Sequence, residues 1–304
     1  MHIPRFWSKG DFHETYRGRH PQTGKKIPVS CWGWSDESLE EAREMGTRRV
    51  QQLVDLLRSG SHPGRYPYGS IRPLKEEILQ EWERDGEAYL IKTRNAYGCE
   101  VLNTADVMFV DVDIVIPEGW ECRSFERRSW WHGLTGWGSP PEPPFELGEE
   151  EIERRLRLLL DKEPHLRVRV YRTLAGYRYL FVHGHEDPSS DLTEGYMEAL
   201  GADDMYRRLC RNQKCFRARL TPKPWRAGFH ALKAPYPVET DGQATARAEW
   251  VAAYGDVIPR HATCRFIEEL GRGQGLGPET SQTITEVVRL HDEATGALSE
   301  RPLA

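Results

Sequence analysis

Hydrophobic residues recur every three or four positions in several stretches of the chain, and this spacing predicts amphipathic helices. The first stripe includes Leu39, Val50 and Leu57, and Gly60 ends it. The predicted helices cover residues 35–59, 73–86, 149–162, 191–211, 244–254, 259–270 and 278–291. The chain therefore has helical segments before, within and after its central part.

Short apolar or alternating runs, rich in Val, Ile, Tyr and Phe, lie between these helices and predict β-strands. Turns that contain glycine, at 95–98 and 174–176, separate neighbouring runs and predict hairpins. The predicted strands cover residues 88–94, 100–103, 107–114, 166–172, 177–182 and 216–221.

From residue 107 onward the predicted order is strand, helix, strand, strand, helix, strand. This order is typical of the split βαβ arrangement, so we predict an α+β fold with a ferredoxin-like or RRM-like βαββαβ palm. The first strand of the palm is expected at the centre of an antiparallel sheet. Both palm helices are expected on one face of that sheet, which would leave the other face for a ligand.

Three consecutive segments follow from this assignment. Residues 1–87 form an N-terminal arm with helices, residues 88–240 form the α+β core, and residues 241–304 form a C-terminal helical tail. Residues 115–148 are rich in Gly, Pro and Trp without a period, so we interpret them as an insertion in the core and a candidate lid or substrate loop.

Composition places the chain among ordinary folded proteins, with 304 residues, 38% hydrophobic, 29% charged and a net charge of −5. There is no signal-like apolar region at the start and no run approaching ~18 apolar residues, so we expect a cytoplasmic protein without a membrane partner. The spread of the six cysteines suits a reducing compartment. Cys210 and Cys215 are a weak zinc candidate. The sequence leaves the oligomeric state open.

Two acids, Asp111 and Asp113, end the apolar run over 107–114. Side chains two apart on a strand point to the same face, so the two carboxylates are expected to lie together. A divalent cation would compensate their charge, and this makes both residues candidate catalytic metal ligands for Mg²⁺ or Mn²⁺. The alternative is that the strand ends at Asp111 and both acids are solvated at a sheet edge.

Cations that could bind phosphate follow in two places. Arg172, Thr173 and Arg178 flank the second hairpin turn, and the guanidinium fork suits phosphate oxygens. A stretch over 205–233 has nine Lys or Arg residues and no acid, and its candidates are Arg217, Arg219, Lys223 and Arg226. Alternatively, each of these arginines forms an ion pair on a solvated face.

The strand that ends in Asp-x-Asp, followed by Thr-Leu-Ala-Gly-Tyr-Arg over 173–178, resembles the catalytic core of the archaeo-eukaryotic primase and primase-polymerase superfamily. The resemblance covers residues 88–235. It implies a metal-dependent nucleotidyl transfer in which the acids hold the ions. Two departures stand out: Arg178 occupies the position of the family's nucleotide-binding histidine, and the strand over 216–221 has no third acid.

The chain also resembles a bacterial protein family that carries Trp-Gly-Trp-Ser (32–35), Thr-Arg-Asn-Ala-Tyr-Gly (93–98) and Phe-Arg-Ala-Arg-Leu-Thr-Pro-Lys-Pro-Trp-Arg (216–226). This second resemblance implies no particular activity.

Three hypotheses follow. The first is a metal-dependent nucleotidyl- or phosphoryl-transfer enzyme that acts on nucleotides or nucleic acid. The second is a non-catalytic RRM-like nucleic-acid-binding module with aromatic stacking platforms, namely Tyr171, Tyr177, Tyr179 and Phe216. The third is a regulatory or scaffold protein. Replacing both acids should abolish metal-dependent incorporation under the first hypothesis only.

Overall fold

The computed structural model describes residues 1–10, 17–19, 26–28, 30–59, 73–114 and 148–304. Two compact units make up the chain. The first unit combines Met1–Ala105 with Cys210–His261, and the second combines Asp106–Leu209 with Ala262–Ala304. Each unit is discontinuous in sequence, whereas the sequence predicted three consecutive segments. The expected lid over 115–148 lies outside the described residues, apart from Gly148.

The described residues form an α+β protein with antiparallel sheets, which confirms the predicted fold class in its coarse form. The helices are α1 (Leu39–Arg58), α2 (Glu149–Lys162), α3 (Asp191–Leu200), α4 (Asp204–Gln213), α5 (Asp241–Gly255) and α6 (Pro278–Thr295). The strands are β1 (Phe6–Lys9), β2 (Arg17–Arg19), β3 (Lys26–Pro28), β4 (Trp32–Ser35), β5 (Glu77–Arg84), β6 (Glu87–Arg94), β7 (Glu100–Thr104), β8 (Phe109–Asp113), β9 (Arg167–Thr173), β10 (Gly176–Phe181), β11 (Phe216–Arg219) and β12 (Cys264–Gly271).

The main sheet of the first unit has the strand order β11-β7-β6-β5. Its hairpin β5–β6 corrects the helix predicted over 73–86. Asp85 and Gly86 form the two-residue turn, with φ of 53° and 81°. Positive φ at both central positions is the type I′ geometry, which matches the twist of paired strands and which Asp-Gly favours. The helical spacing of Ile78 and Trp82 was therefore a weaker signal than the turn that follows them.

The sheet of the second unit has the order β12-β9-β10-β8, with every neighbour antiparallel. Strand β10 lies between β8 and β9, as the split βαβ arrangement predicts. The fourth strand differs from the prediction: β11 pairs with β7 in the other unit, and β12 joins the sheet beside β9. Among the described strands, β8 is consequently at the edge of its sheet, so its predicted central position was wrong.

Two predicted helices were also wrong. The helix expected over 191–211 is two helices, α3 and α4, because the chain adopts a left-handed conformation at Gly201, with φ of 85°. The helix expected over 259–270 is a short 3-10 turn, Ile258–Arg260, followed by β12. Phe266 and Ile267 are adjacent and form no helical period, and cross-strand pairing with β9 decides the conformation of this segment.

Helices cover both faces of the β8–β10–β9 sheet. On one face, His291 of α6 contacts the rings of Tyr171 and Phe109, with centroids 4.7 and 5.4 Å away. On the opposite face, Glu149 of α2 contacts Arg172 at 2.7 Å. The expectation of an open sheet face was wrong, because α6 occupies it. No helix within the described residues is both long enough and apolar enough to span a bilayer.

Candidate functional site

Asp111 and Asp113 lie at the end of β8 and share one face of the sheet, as the spacing predicted. The intervening Val112 is fully buried, and so is Val110. By contrast, the side chain of Asp111 is 42% exposed and Asp113 is an exposed residue. The two carboxylates are therefore accessible to solvent even though they extend from a buried strand.

Arg178 is the direct cross-strand partner of Asp111. Its Nε donates to Oδ1 of Asp111 at 2.6 Å, and its Nη2 donates to Oδ2 at 2.8 Å. Such a bidentate pair is among the strongest side-chain hydrogen-bonding arrangements. Arg178 is 0% exposed. Burial alone would lower its pKa, and the Asp111 carboxylate more than offsets this, so the pKa of Arg178 is raised. The guanidinium therefore stays charged within the fold.

The remaining guanidinium nitrogen of Arg178 contacts a buried group of polar side chains that includes two residues of α6. Its Nη1 lies 3.3 Å from Nε2 of His291, and Nδ1 of His291 lies 2.9 Å from Oδ1 of Asp292. The hydroxyl of Tyr171 donates to the same oxygen of Asp292 at 2.8 Å. We call Asp111, Arg178, His291, Asp292 and Tyr171 the charge network. Because a guanidinium can only donate, a hydrogen bond from Arg178 to Nε2 requires the His291 tautomer that carries its proton on Nδ1.

Cys264 borders the charge network, with its Sγ 3.8 Å from Nε2 of His291. Burial raises the pKa of this thiol, but His291 and Arg178 more than offset that effect, so its pKa is lowered. The pKa of Asp292 is also lowered, because hydrogen bonds from His291 and Tyr171 outweigh the effect of burial. Both Cys264 and His291 are fully buried, so the thiol is part of the packed interior.

Sequence reasoning did not find His291, Asp292 or Cys264. All three come from Ala262–Ala304, which lies within the helical tail predicted over 241–304, whose role the sequence left open. The only available signal was a consecutive His-Asp pair within an amphipathic helix, and this pattern is too common to indicate a site.

The other cations predicted beside the acids are elsewhere. Arg172 is next to Tyr171 in β9 and therefore lies on the opposite face from Asp111, where it pairs with Glu149 and sits over the ring of Tyr177. Thr173 is on the same face as the acids, but its Oγ1 accepts from the amide of Gly176 at 3.0 Å and closes the hairpin turn. Neither residue faces a site at Asp111 in the way that was predicted.

Arg217, Arg219, Lys223 and Arg226 belong to the first unit. Arg217 forms a buried pair with Glu76, with Nη2 at 2.7 Å from both carboxylate oxygens. Arg217 therefore belongs to an ion pair, but this pair is largely enclosed, whereas the alternative interpretation placed such pairs on a solvated face. Arg219 and Lys223 lie near the buried thiol of Cys99: burial raises the pKa of that thiol, and the two cations partly offset the increase.

The aromatic residues predicted as stacking platforms are all buried, namely Tyr171, Tyr177, Tyr179 and Phe216. They pack within the sheets and present no ring face to a ligand. The aromatic surface that was predicted to bind nucleic acid is therefore not exposed in the fold. Other aromatic side chains, Tyr97 and Trp225, are exposed in the first unit.

In the described part of the chain, no three His, Cys, Asp or Glu side chains are grouped so that they could hold a metal ion by themselves. This includes the Cys210 and Cys215 pair. No protein-family model, curated protein or solved structure matches the chain. Any function of Asp111 and Asp113 must therefore be inferred from their geometry and charge.

Proposed function

We propose that the protein is a metal-dependent nucleotidyl- or phosphoryl-transfer enzyme that acts on nucleotides or nucleic acid. The observation that carries the proposal is the placement of Asp111 and Asp113 on one face at the end of β8, with both carboxylates reaching solvent. Like charges on one face of a strand favour a nearby cation, and Arg178 already pairs with Asp111 at 2.6 Å.

The donor set suits Mg²⁺ or Mn²⁺. Mg²⁺ is commonly bound by one or two carboxylates, and waters and substrate phosphates complete its coordination. A pair of acids is thus sufficient without a third protein ligand. Each oxygen of Asp111 accepts a hydrogen bond from Arg178, which fixes the orientation of the carboxylate. A bound divalent ion would neutralise phosphate charge and orient the reacting oxygens.

Arg178 has a positioning role in this proposal. Its three guanidinium nitrogens are directed to Asp111 and His291, so it fixes the orientation of the Asp111 carboxylate instead of binding a triphosphate. The charge network extends this support through α6 to Asp292. Preorganised support of this kind reduces the reorganisation that a metal or substrate must induce.

Asp113→Asn is the most informative test, because it removes one acid and leaves the buried Arg178 with its partner. We expect Mn²⁺ binding, measured by titration calorimetry with a nucleoside triphosphate present, to weaken at least about tenfold, or ~1.4 kcal/mol. Mn²⁺-dependent incorporation of labelled nucleotides should fall with it. Asp161→Asn is the matched control, since Asp161 is an exposed acid on α2 in the same unit.

Equal Mn²⁺ affinity in the wild type, Asp113→Asn and Asp161→Asn proteins would refute the metal site. The two acids would then be solvated groups at a sheet edge, which was the alternative interpretation of the sequence. Mn²⁺ binding without nucleotide incorporation would retain the metal site and refute the transferase activity.

A further inference from the structure

Two aromatic side chains are exposed side by side on the first unit. Tyr97 is 55% exposed and Trp225 is 49% exposed, although aromatic residues of this size are usually mostly buried. Their ring centroids are 5.4 Å apart with an interplanar angle of 82°. Because the edge of one ring meets the face of the other, the pair leaves ring surface open to a planar ligand.

The backbone that carries these rings is tightly held. The amides of Tyr97 and Cys99 both donate to the side-chain oxygen of Asn95, at 3.0 and 3.1 Å. Trp225 lies in a single 3-10 turn, Pro224–Ala227. Cys99 also donates from Sγ to the carbonyl of Pro222 at 3.3 Å, which connects the two segments. The exposure of the aromatic pair is therefore a fixed feature of the unit.

A cation lies beside Trp225, and two arginines are close to it in sequence. Lys223 places its Nζ 5.9 Å from the ring centroid of Trp225. Arg226 is the next residue after Trp225 and is partly exposed, and Arg219 lies in the strand that leads into the turn. The stretch over 205–233 itself contains nine Lys or Arg residues and no acid. The surface formed by Tyr97, Trp225, Lys223 and Arg226 thus combines ring faces with positive charge, and we call it the aromatic-cation surface.

We propose that the aromatic-cation surface binds single-stranded nucleic acid, with an unpaired base stacked on Trp225 or Tyr97 and the backbone phosphates near Lys223 and Arg226. Aromatic platforms beside cations are the arrangement that binds single strands with little sequence preference. Duplex bases are already stacked on each other and offer no free face. This site is independent of the metal chemistry proposed for Asp111 and Asp113, since it uses only residues of the first unit.

Charge and shape together favour this ligand over an acidic polypeptide. A peptide of Asp and Glu alone would satisfy Lys223 and Arg226 but has no ring to stack on the open ring surface. A neutral sugar would stack on Trp225 and leave the cations without a function. A strand of nucleotides supplies both, with planar bases and anionic phosphates repeating along one chain.

The test uses the full chain and a fluorescein-labelled twenty-nucleotide oligothymidylate, with binding measured by fluorescence anisotropy. We expect Trp225→Ala to weaken binding by roughly tenfold or more, and Trp225→Phe to retain most of the affinity because it keeps a ring. Leu39→Ala is the matched control for loss of an exposed apolar side chain in the same unit. It should leave the affinity unchanged.

The charge contribution is tested separately. Lys223→Gln should reduce the slope of log affinity against log salt by about 0.7, the value for one phosphate contact with a single strand, and Lys162→Gln should not. Equal affinity for a duplex of the same length, equal competition by polyglutamate, or an unchanged affinity of Trp225→Ala would each overturn the proposal. Loss of metal binding in Asp113→Asn would leave this result unaffected, so the two proposals can fail independently.

Discussion

Replacing Asp111 by Asn should destabilise the second unit far more than replacing its partner Arg178. The reason is the unequal burial of the pair. Arg178 is 0% exposed, whereas the side chain of Asp111 is 42% exposed. Asp111→Asn leaves a guanidinium in the interior without its carboxylate, while Arg178→Met leaves a carboxylate that water can reach.

Breaking a buried ion pair by removing one partner costs about 3–5 kcal/mol, because the remaining charge is uncompensated. We place Asp111→Asn near the lower value, ~3 kcal/mol, since the amide oxygen of Asn still accepts one hydrogen bond. Arg178→Met removes the interior charge and fills a similar volume, so we expect a cost of no more than about 1–2 kcal/mol. In the double variant Asp111→Asn and Arg178→Met, the cost should return close to that of Arg178→Met alone.

Hydrogen exchange read by mass spectrometry is the appropriate assay, because peptides from β8 and β10 report the opening free energy of this sheet separately from the first unit. Asp161→Asn, which changes an exposed acid on α2, should leave exchange unchanged. If Arg178→Met destabilised the sheet as much as Asp111→Asn, or if the double variant showed additive costs, the argument from unequal burial would be refuted.

Two further predictions concern the same sheet. Gly176→Ala should destabilise the β8–β10 pair by roughly 1–3 kcal/mol in the same exchange experiment, because an added Cβ would lie 2.1 Å from the carbonyl oxygen of Val112. Gly184→Ala, whose Cβ would meet nothing within 4 Å, should cost much less. The lowered pKa of Asp292 implies stability that is present above the ordinary aspartate value of 3.8 and is lost as the pH falls through the lower folded value. Asp292→Asn should therefore flatten the decrease in stability below about pH 4 in acid titrations followed by circular dichroism, and an unchanged slope would contradict this.

Several elements were predictable because their local patterns agree with the tertiary contacts. The helix α2 was predicted with the bounds that it has, Glu149–Lys162, since its apolar stripe is buried on one side. The strands β6, β7, β9 and β10 follow from short apolar runs separated by turns. The common face of Asp111 and Asp113 follows from the two-residue period of any strand, so it did not depend on the sheet order.

The errors have physical causes of a different kind. Residues 73–86 were predicted as a helix because the turn signal of Asp85-Gly86 was not given enough weight. This turn makes the segment the first strand of a hairpin. The local sequence pattern could not predict which sheet contains β11 and which contains β12. Pairing between segments that are distant in sequence decides which sheet a strand joins. The sequence also could not show which cations would meet which acids. The ion pairs Arg217–Glu76 and Arg178–Asp111 join residues that are distant in sequence and that the strand pairing brings together.

The origin of the fourth strand explains why Arg178 became an interior residue. Ala262–Ala304 supplies both β12, which extends the sheet, and α6, whose His291 approaches Arg178 and the ring of Tyr171. Without that segment, the face that carries Arg178 would be the open face of a three-stranded sheet. A guanidinium there would be solvated and available to an anion. The C-terminal segment thus encloses a residue that sequence reasoning assigned to phosphate binding, and the surroundings of the Asp111–Arg178 pair depend on a segment that begins only at Ala262.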